Sequence, residues 1–234
     1  MIKHLTLIPA TGKRLIAKAI AVHPTIQAAL KSGTLAIIAG TTNGYVAEEI
    51  LKSIGQSEGF SKKRFFRGVV ISPQLPVTES RRLKEERGFP GDAVIASGTW
   101  QRGKTIFDVV GDLKEGDVIL TGANDLDLTN RQAAVLYRPS KRMHCRCIPT
   151  GRGGTEGKDD PPCRPVETRV NCNLRELATR MNLPGIHGSR LLPVPGEVFT
   201  EIDAISLMTR RQGRTYCGRR SWLSGGQYLA GPDG

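Results

Sequence analysis

The stretch GTLAIIAGTTNGYVAEEIL, residues 33–51, decides the fold. Its first half, TLAIIAG, is an unbroken apolar run of strand length, the mark of a strand covered on both faces of a parallel sheet. Its second half continues as YVAEEILKSIG, with Val46, Ile50 and Leu51 on one face of a predicted helix. Between them lies Gly40-Thr41-Thr42-Asn43-Gly44, a set of residues suited to a tight turn. Strand, turn and helix in that order form the unit of an open α/β sheet, and such sheets bind ligands at the carboxyl ends of their strands.

Upstream, LTLIPATGKRLIAKAIAVHPTIQAALKSG reads as helix, with Thr11 as a cap and a break at His23-Pro24. A second short helix, PTIQAALKS, is expected to end at Gly33. Downstream, VVISP (69–73) reads as a strand, and PQLPVTESRRLKEERGFPGD (73–92) as a charged excursion or lid. DAVIASGTW and KTIFDVVGDL look strand-like, GDVILTGANDLD is an apolar strand ending in a turn, and LTNRQAAVL reads as helix. Alternating helices and strands predict an α/β class, Rossmann-like, with a largely parallel sheet flanked by helices. One domain is expected over residues 1–209, locally disrupted after residue 136.

From Tyr137 to about Val170, Arg, Cys, Gly and Pro replace the apolar period, and the same happens from Arg210 to Gly234. Residues 138–170 hold eight Lys/Arg against four Asp/Glu, and 210–234 hold five against one, so they supply +8 of the net +12. Four of the five cysteines (Cys145, Cys147, Cys163 and Cys217) lie there too, leaving Cys172 apart. His144 with Cys145, Cys147 and Cys163 lacks the repeated C-x₂₋₄-C spacing of a structural zinc site, so no metal is expected. No aromatic residue after Tyr137 in this segment offers a stacking platform, which disfavours a nucleic-acid partner. Out-of-frame translation accounts for both stretches better. Arg codons of the CGN type, read one nucleotide downstream, yield Gly, Ala, Val, Asp or Glu. A shift from Tyr137 permits a Gly-rich turn followed by apolar runs, and a shift from Arg210 permits a helix end, a Gly turn and a strand. Residues 137–165 and 210–234 are therefore expected to be frameshifted, and 137–170 and 210–234 to be aberrant, poorly ordered stretches.

The chemistry is expected at two turns. At Gly40–Gly44 a helix N-terminus presents free backbone N–H groups beside the Thr41 and Thr42 hydroxyls and the Asn43 amide, a ready anion site. The plainer alternative is that Thr41, Thr42 and Asn43 cap the helix. The run is neither a Walker loop, since no GK[ST] follows, nor G-x-G-x-x-G. At Gly122-Ala123-Asn124-Asp125-Leu126-Asp127, an amide and two carboxylates follow an apolar strand. Asp125 and Asp127 are candidates for acid/base work, with Gly122 and Asn124 as ligand-binding partners; the alternative is a helix start capped by Asp127 or Thr129. Thr78, Glu79, Arg81 and Arg82 could close over an anion or form a solvated loop. His187, in a Gly-rich loop, could reach a site or simply be exposed; Glu197 and Glu201 are site carboxylates only if their loop folds back over the strand ends, and Thr200 is the expected cap of the last helix.

The order of these two motifs resembles the superfamily of ribose-5-phosphate isomerase, glucosamine-6-phosphate deaminase and CoA-transferases. Gly40, Thr41 and Thr42 match its phosphate-gripping turn, and Gly122, Ala123 and Asn124 its second strand-end turn. A single Gly precedes the threonines here, and Asn124 stands where the acid is found, with Asp125 next. The resemblance implies a sugar-phosphate-isomerase-like fold and sugar-phosphate or acyl-CoA chemistry without choosing between them, and isomerase activity is not carried over from it; an enzyme of isomerase, hydrolase or transferase type is expected. The expected partner is thus a small anionic metabolite, with no cofactor and a homo-oligomer left open. No run reaches the roughly 20 apolar residues of a membrane span, and no signal peptide is visible, so a cytoplasmic location is expected. The alternatives are a basic nucleic-acid-binding protein and a frameshifted product without activity.

Overall fold

Short strands and proline-led helices build the fold, and the computed structural model describes residues 3–66, 91–137, 169–170, 173–209, 213–215 and 227–230. Strand β1 (Lys3–Thr6) occupies the start, where the sequence reads as helix. Helix α1 (Pro9–Ala21) begins at Pro9, with Ile8 as its N-cap, so Thr11 lies inside the first turn and does not cap it. Proline suits that place because its ring fixes a helical φ and its missing N–H has no partner there anyway. Helix α2 (Pro24–Ser32) starts the same way and ends on Gly33, as its sequence predicts.

Strand β2 (Thr34–Ile37) is the buried strand expected from TLAIIAG: Leu35, Ala36 and Ile37 have no exposed surface. Helix α3 (Thr41–Ser53) follows and buries Val46, Ala47, Ile50 and Leu51 against it. Strands β3 (Ala93–Ala96) and β4 (Thr99–Trp100) form a hairpin. Its two central residues, Ser97 and Gly98, have φ of 45° and 76°, the left-handed pair that matches the twist of a two-residue hairpin. KTIFDVVGDL is a 3-10 turn at Ile106–Asp108 rather than a strand, because Thr105 and Asp108 cap each other across it.

Strand β5 (Val118–Leu120) completes a four-stranded sheet of order β4-β3-β2-β5. β5 runs parallel to β2, with Ile37 opposite Leu120, whereas β3 runs antiparallel to β2. Asp117 sets the parallel register: its carboxylate accepts from Thr34 N (2.6 Å) and from Lys114 N (2.8 Å), seating the starts of both strands side by side.

A second sheet contains β6 (Asp125–Asp127), β7 (Gln132–Tyr137) and β8 (Arg169–Val170); helix α4 (Leu174–Met181) packs on it, and β9 (Arg190–Val194) completes the order β8-β6-β7-β9. LTNRQAAVL is therefore a hairpin turn and a strand, not a helix. Asp127 accepts from Asn130 N at 2.9 Å and Arg131 takes φ of 51°, which reverses the chain. Ala134 and Leu136 then pack against Leu174, Ala178 and Leu191. Helix α5 (Glu201–Thr209) starts after Thr200, whose N and Oγ1 both donate to Asp203 at 2.7 Å. It packs on α1, placing Ala204 in the main core. β10 (Gly213–Thr215) and β11 (Gln227–Ala230) pair antiparallel with each other, and β11 pairs with β1.

The α/β class holds in the sense of helices mixed with strands. The largely parallel sheet does not: among the described residues two pairings are parallel, β2 with β5 and β6 with β8, and the others are antiparallel hairpins or returns. VVISP, the 73–90 part of the excursion with Thr78, Glu79, Arg81 and Arg82, the cysteines with His144, and most of both aberrant stretches lie outside the described residues.

Candidate functional site

Parallel pairing of β2 and β5 brings their carboxyl ends to one edge of the sheet, and with them the two turns singled out in the sequence. The junction is a hydrogen-bonded knot. Ile38 N donates to Leu120 O at 2.9 Å, and Asn43 Nδ2 donates both to Ile38 O (2.8 Å) and to Leu120 O (3.0 Å). Asn43 is buried and ties the strand ends together, so its amide serves the fold. Gly44 is buried beside it, where an added Cβ would stand 3.2 Å from Lys62 Cβ and 3.3 Å from Lys62 O.

The N-cap of α3 is Gly40, and no side chain caps the helix. Gly44 N is the first amide to bond back, to Gly40 O at 2.8 Å. The amides of Thr41, Thr42 and Asn43 therefore have no intrahelical acceptor, as at any helix start. Capping by Thr41, Thr42 or Asn43 is thus not what these residues do.

A cation stands over this end. Lys13 Nζ donates to Thr41 Oγ1 at 3.0 Å. Burial lowers the pKa of this amine below the ordinary lysine value, and the Glu201 carboxylate opposes part of that shift. Glu201 approaches because residue 12 is glycine: a Cβ there would stand 2.8 Å from Glu201 Oε1. Glu201, the first residue of α5, thus lies against α1 beside Lys13. Glu197 and His187 are exposed.

An ion-pair network holds α1 and α3 in this relation. Arg14 bridges to both Glu48 and Glu49, and Lys62 Nζ reaches Glu48 Oε2 at 3.0 Å. Both cations lie near the Tyr45 ring centre, the Arg14 guanidinium carbon at 4.8 Å and Lys62 Nζ at 4.9 Å. Burial alone would raise the Glu48 pKa, but the bonds from Arg14 and Lys62 outweigh it and hold the carboxyl below its ordinary value.

The second turn divides. Thr121 and Gly122 are exposed at the strand end, beside the Leu120 carbonyl that Asn43 grips. Asn124 faces the other sheet: its N donates to Ala134 O (2.9 Å) and its Oδ1 accepts from Leu136 N (3.0 Å). Asp125 and Asp127 are not in a turn but in β6, and both are buried. Asp125 Oδ1 accepts from Leu126 N at 3.0 Å. Asp127 accepts from the Asn130 side chain and backbone, and these bonds hold its pKa below the usual aspartate value. The Leu174 and Thr129 backbone adds to the same lowering. That is the geometry of a turn clamp.

Lys13 and the buried Asp92 are not singled out by sequence reasoning. Asp92 accepts from Ala39 N (2.9 Å) and Ile106 N (2.8 Å), fixing the backbone just before Gly40. A signal for Lys13 exists in hindsight: Gly12 inside a helical run implies a close approach by another element. Among the described residues no group of three or more His, Cys, Asp or Glu is placed to hold a metal ion, and no helix is long and apolar enough to cross a membrane. Comparison with protein-family models, with curated proteins and with solved structures finds no match to this chain.

Proposed function

We propose that the chain binds a small anionic metabolite, a sugar phosphate or a CoA ester, at the start of α3, with Lys13 as the cationic clamp. The observation that carries this reading is the Lys13 ammonium bonded to Thr41 at an uncapped helix end. Three amides with no intrahelical acceptor and the positive helix end favour an anion, and an ammonium adds a charge-assisted bond. Gly40 and Gly122 themselves add no side chain at the strand ends, and a Cβ at Gly122 would meet nothing within 4 Å.

The same geometry supports proton transfer within an isomerase- or transferase-type reaction. Lys13 and Glu201 form an acid and a base beside the anion, and the lowered lysine pKa brings its amine nearer to neutral working pH. This pair suits the role better than Asp125 and Asp127, whose oxygens hold β6 and its hairpin in place.

A thermal-shift screen with ribose 5-phosphate, glucosamine 6-phosphate, acetyl-CoA and inorganic phosphate tests the reading. A ligand at about 100 times its Kd adds roughly 2.7 kcal/mol of stability, which reads as a clear rise in Tm. Lys13→Met is expected to abolish that rise. No response to either phosphorylated class, or an undiminished response in Lys13→Met, counts against it.

A further inference from the structure

A cavity of about 200 Å³ lies between the loop that follows α3 and the β3–β4 hairpin, and Lys13 is not among its lining residues. Three aromatic side chains form its walls. Phe60 meets Phe65 with ring centroids 5.2 Å apart and Trp100 at 6.0 Å, the latter edge to face. Phe65 is buried, which gives the floor a fixed shape. Two guanidinium side chains, Arg64 and Arg102, contribute to the lining.

Arg102 is positioned by the protein itself. Its guanidinium carbon lies 4.6 Å from the Trp100 ring centre, and Nη2 donates to Glu58 O at 2.9 Å. Gly59 permits this placement, since a Cβ there would stand 3.2 Å from Arg102 Nη1. Among the described residues no carboxylate forms an ion pair with Arg102, so its remaining N–H groups are free to meet a ligand. The one acid in the described lining, Asp92, has both oxygens committed to Ala39 N and Ile106 N. Among the described residues the lining is thus aromatic with two guanidinium side chains, beside Ser61, Asp92 and glycine backbone.

We propose that this cavity is a second ligand site, for a small planar anion of the aromatic or heteroaromatic monocarboxylate class. Three properties select that class. Ring edges and faces of Phe60 and Trp100 favour a flat π-system over an aliphatic one. A guanidinium held in place before the ligand arrives binds a carboxylate through paired N–H donors, with little ordering cost. The volume of about 200 Å³ lies below the roughly 300–1,000 Å³ of sites for drug-sized ligands, so it suits one substituted ring rather than a whole nucleotide or CoA ester. The proposal does not rest on anion binding at α3.

Trp100 reports on its own cavity. In the full-length chain carrying Trp222→Phe it is the sole tryptophan, so its fluorescence can be titrated with benzoate, nicotinate, neutral benzamide and inorganic phosphate. Benzoate and nicotinate are expected to give saturable changes, and benzamide and phosphate none at the same concentrations. Arg102→Gln, if its melting stays cooperative, is expected to weaken benzoate by about tenfold or more, the size of a lost charge-assisted bond. Should that variant fail to fold, Arg102→Lys keeps the charge and stem but loses the planar fork, and is expected to bind more weakly than the parent. The proposal is overturned if neither acid gives a saturable change. It is equally overturned if phosphate or benzamide binds as well as benzoate, or if a folded Arg102 variant binds benzoate undiminished.

Discussion

As the proposed anion clamp, Lys13 combines two opposed requirements, because its burial disfavours the charge that an anion needs. An anion needs the ammonium form, so affinity is expected to fall as pH rises through the lowered Lys13 pKa. The fall should come at a lower pH than for an ordinary lysine, and Lys13→Arg, charged throughout, should shift it upward; calorimetric titrations across pH 7–11 would show either. Glu48 works in the opposite sense. Its folded-state pKa is depressed, so its contribution is complete above the ordinary carboxylate value and is lost as pH falls through the folded one. Glu48→Gln is expected to cost about 1–2 kcal/mol at neutral pH and to flatten the acid side of the stability curve. An unchanged acid limb in urea melts below pH 5 would show that the Arg14–Glu48–Lys62 network carries no such linkage. Neither residue was legible as a partner in the sequence. Lys13 and Arg14 read as the polar face of a helix, and the side chains they meet lie 28 and 34 or 35 positions away.

At the scale of elements, legibility followed burial. TLAIIAG was readable because a strand covered on both faces must be continuously apolar, and the helix after it because Val46, Ile50 and Leu51 mark one face. LTNRQAAVL misled because alanines and a leucine suit either structure, and the Asp127–Asn130 clamp that turns the chain is a side-chain event. The sheet misled for a related reason: an apolar strand shows that both faces are covered, but its direction is set by contacts such as Asp117 with Thr34. Asn43 is the residue whose role changed most, from ligand contact to a bolt between β2 and β5. Asn43→Ala leaves two strand-end carbonyls without that donor and is expected to lower stability by about 1–3 kcal/mol. Leu35→Ala, in the centre of the core, should cost more, about 2–5 kcal/mol. Denaturant melts that rank the two in the opposite order would contradict the core assigned to β2.

The whole molecule has an uneven composition. Most of the net positive charge, +8 of +12, lies in 138–170 and 210–234, whose side chains are outside the described residues. Sequencing the gene across codons 137–165 is expected to show a single-base slip; an uninterrupted frame with confirmed bases would remove that explanation. The described remainder supplies a mixed sheet whose strand ends carry the proposed α3 site. Anion binding at that edge is what the molecule is proposed to do, and calorimetric titration of the full chain and of Lys13→Met with ribose 5-phosphate, acetyl-CoA and inorganic phosphate tests it most directly. Saturable binding of at least one of them by the parent chain, lost in a Lys13→Met variant that melts normally, is the predicted result. Absence of binding in the parent, or equal binding in the variant, contradicts the site.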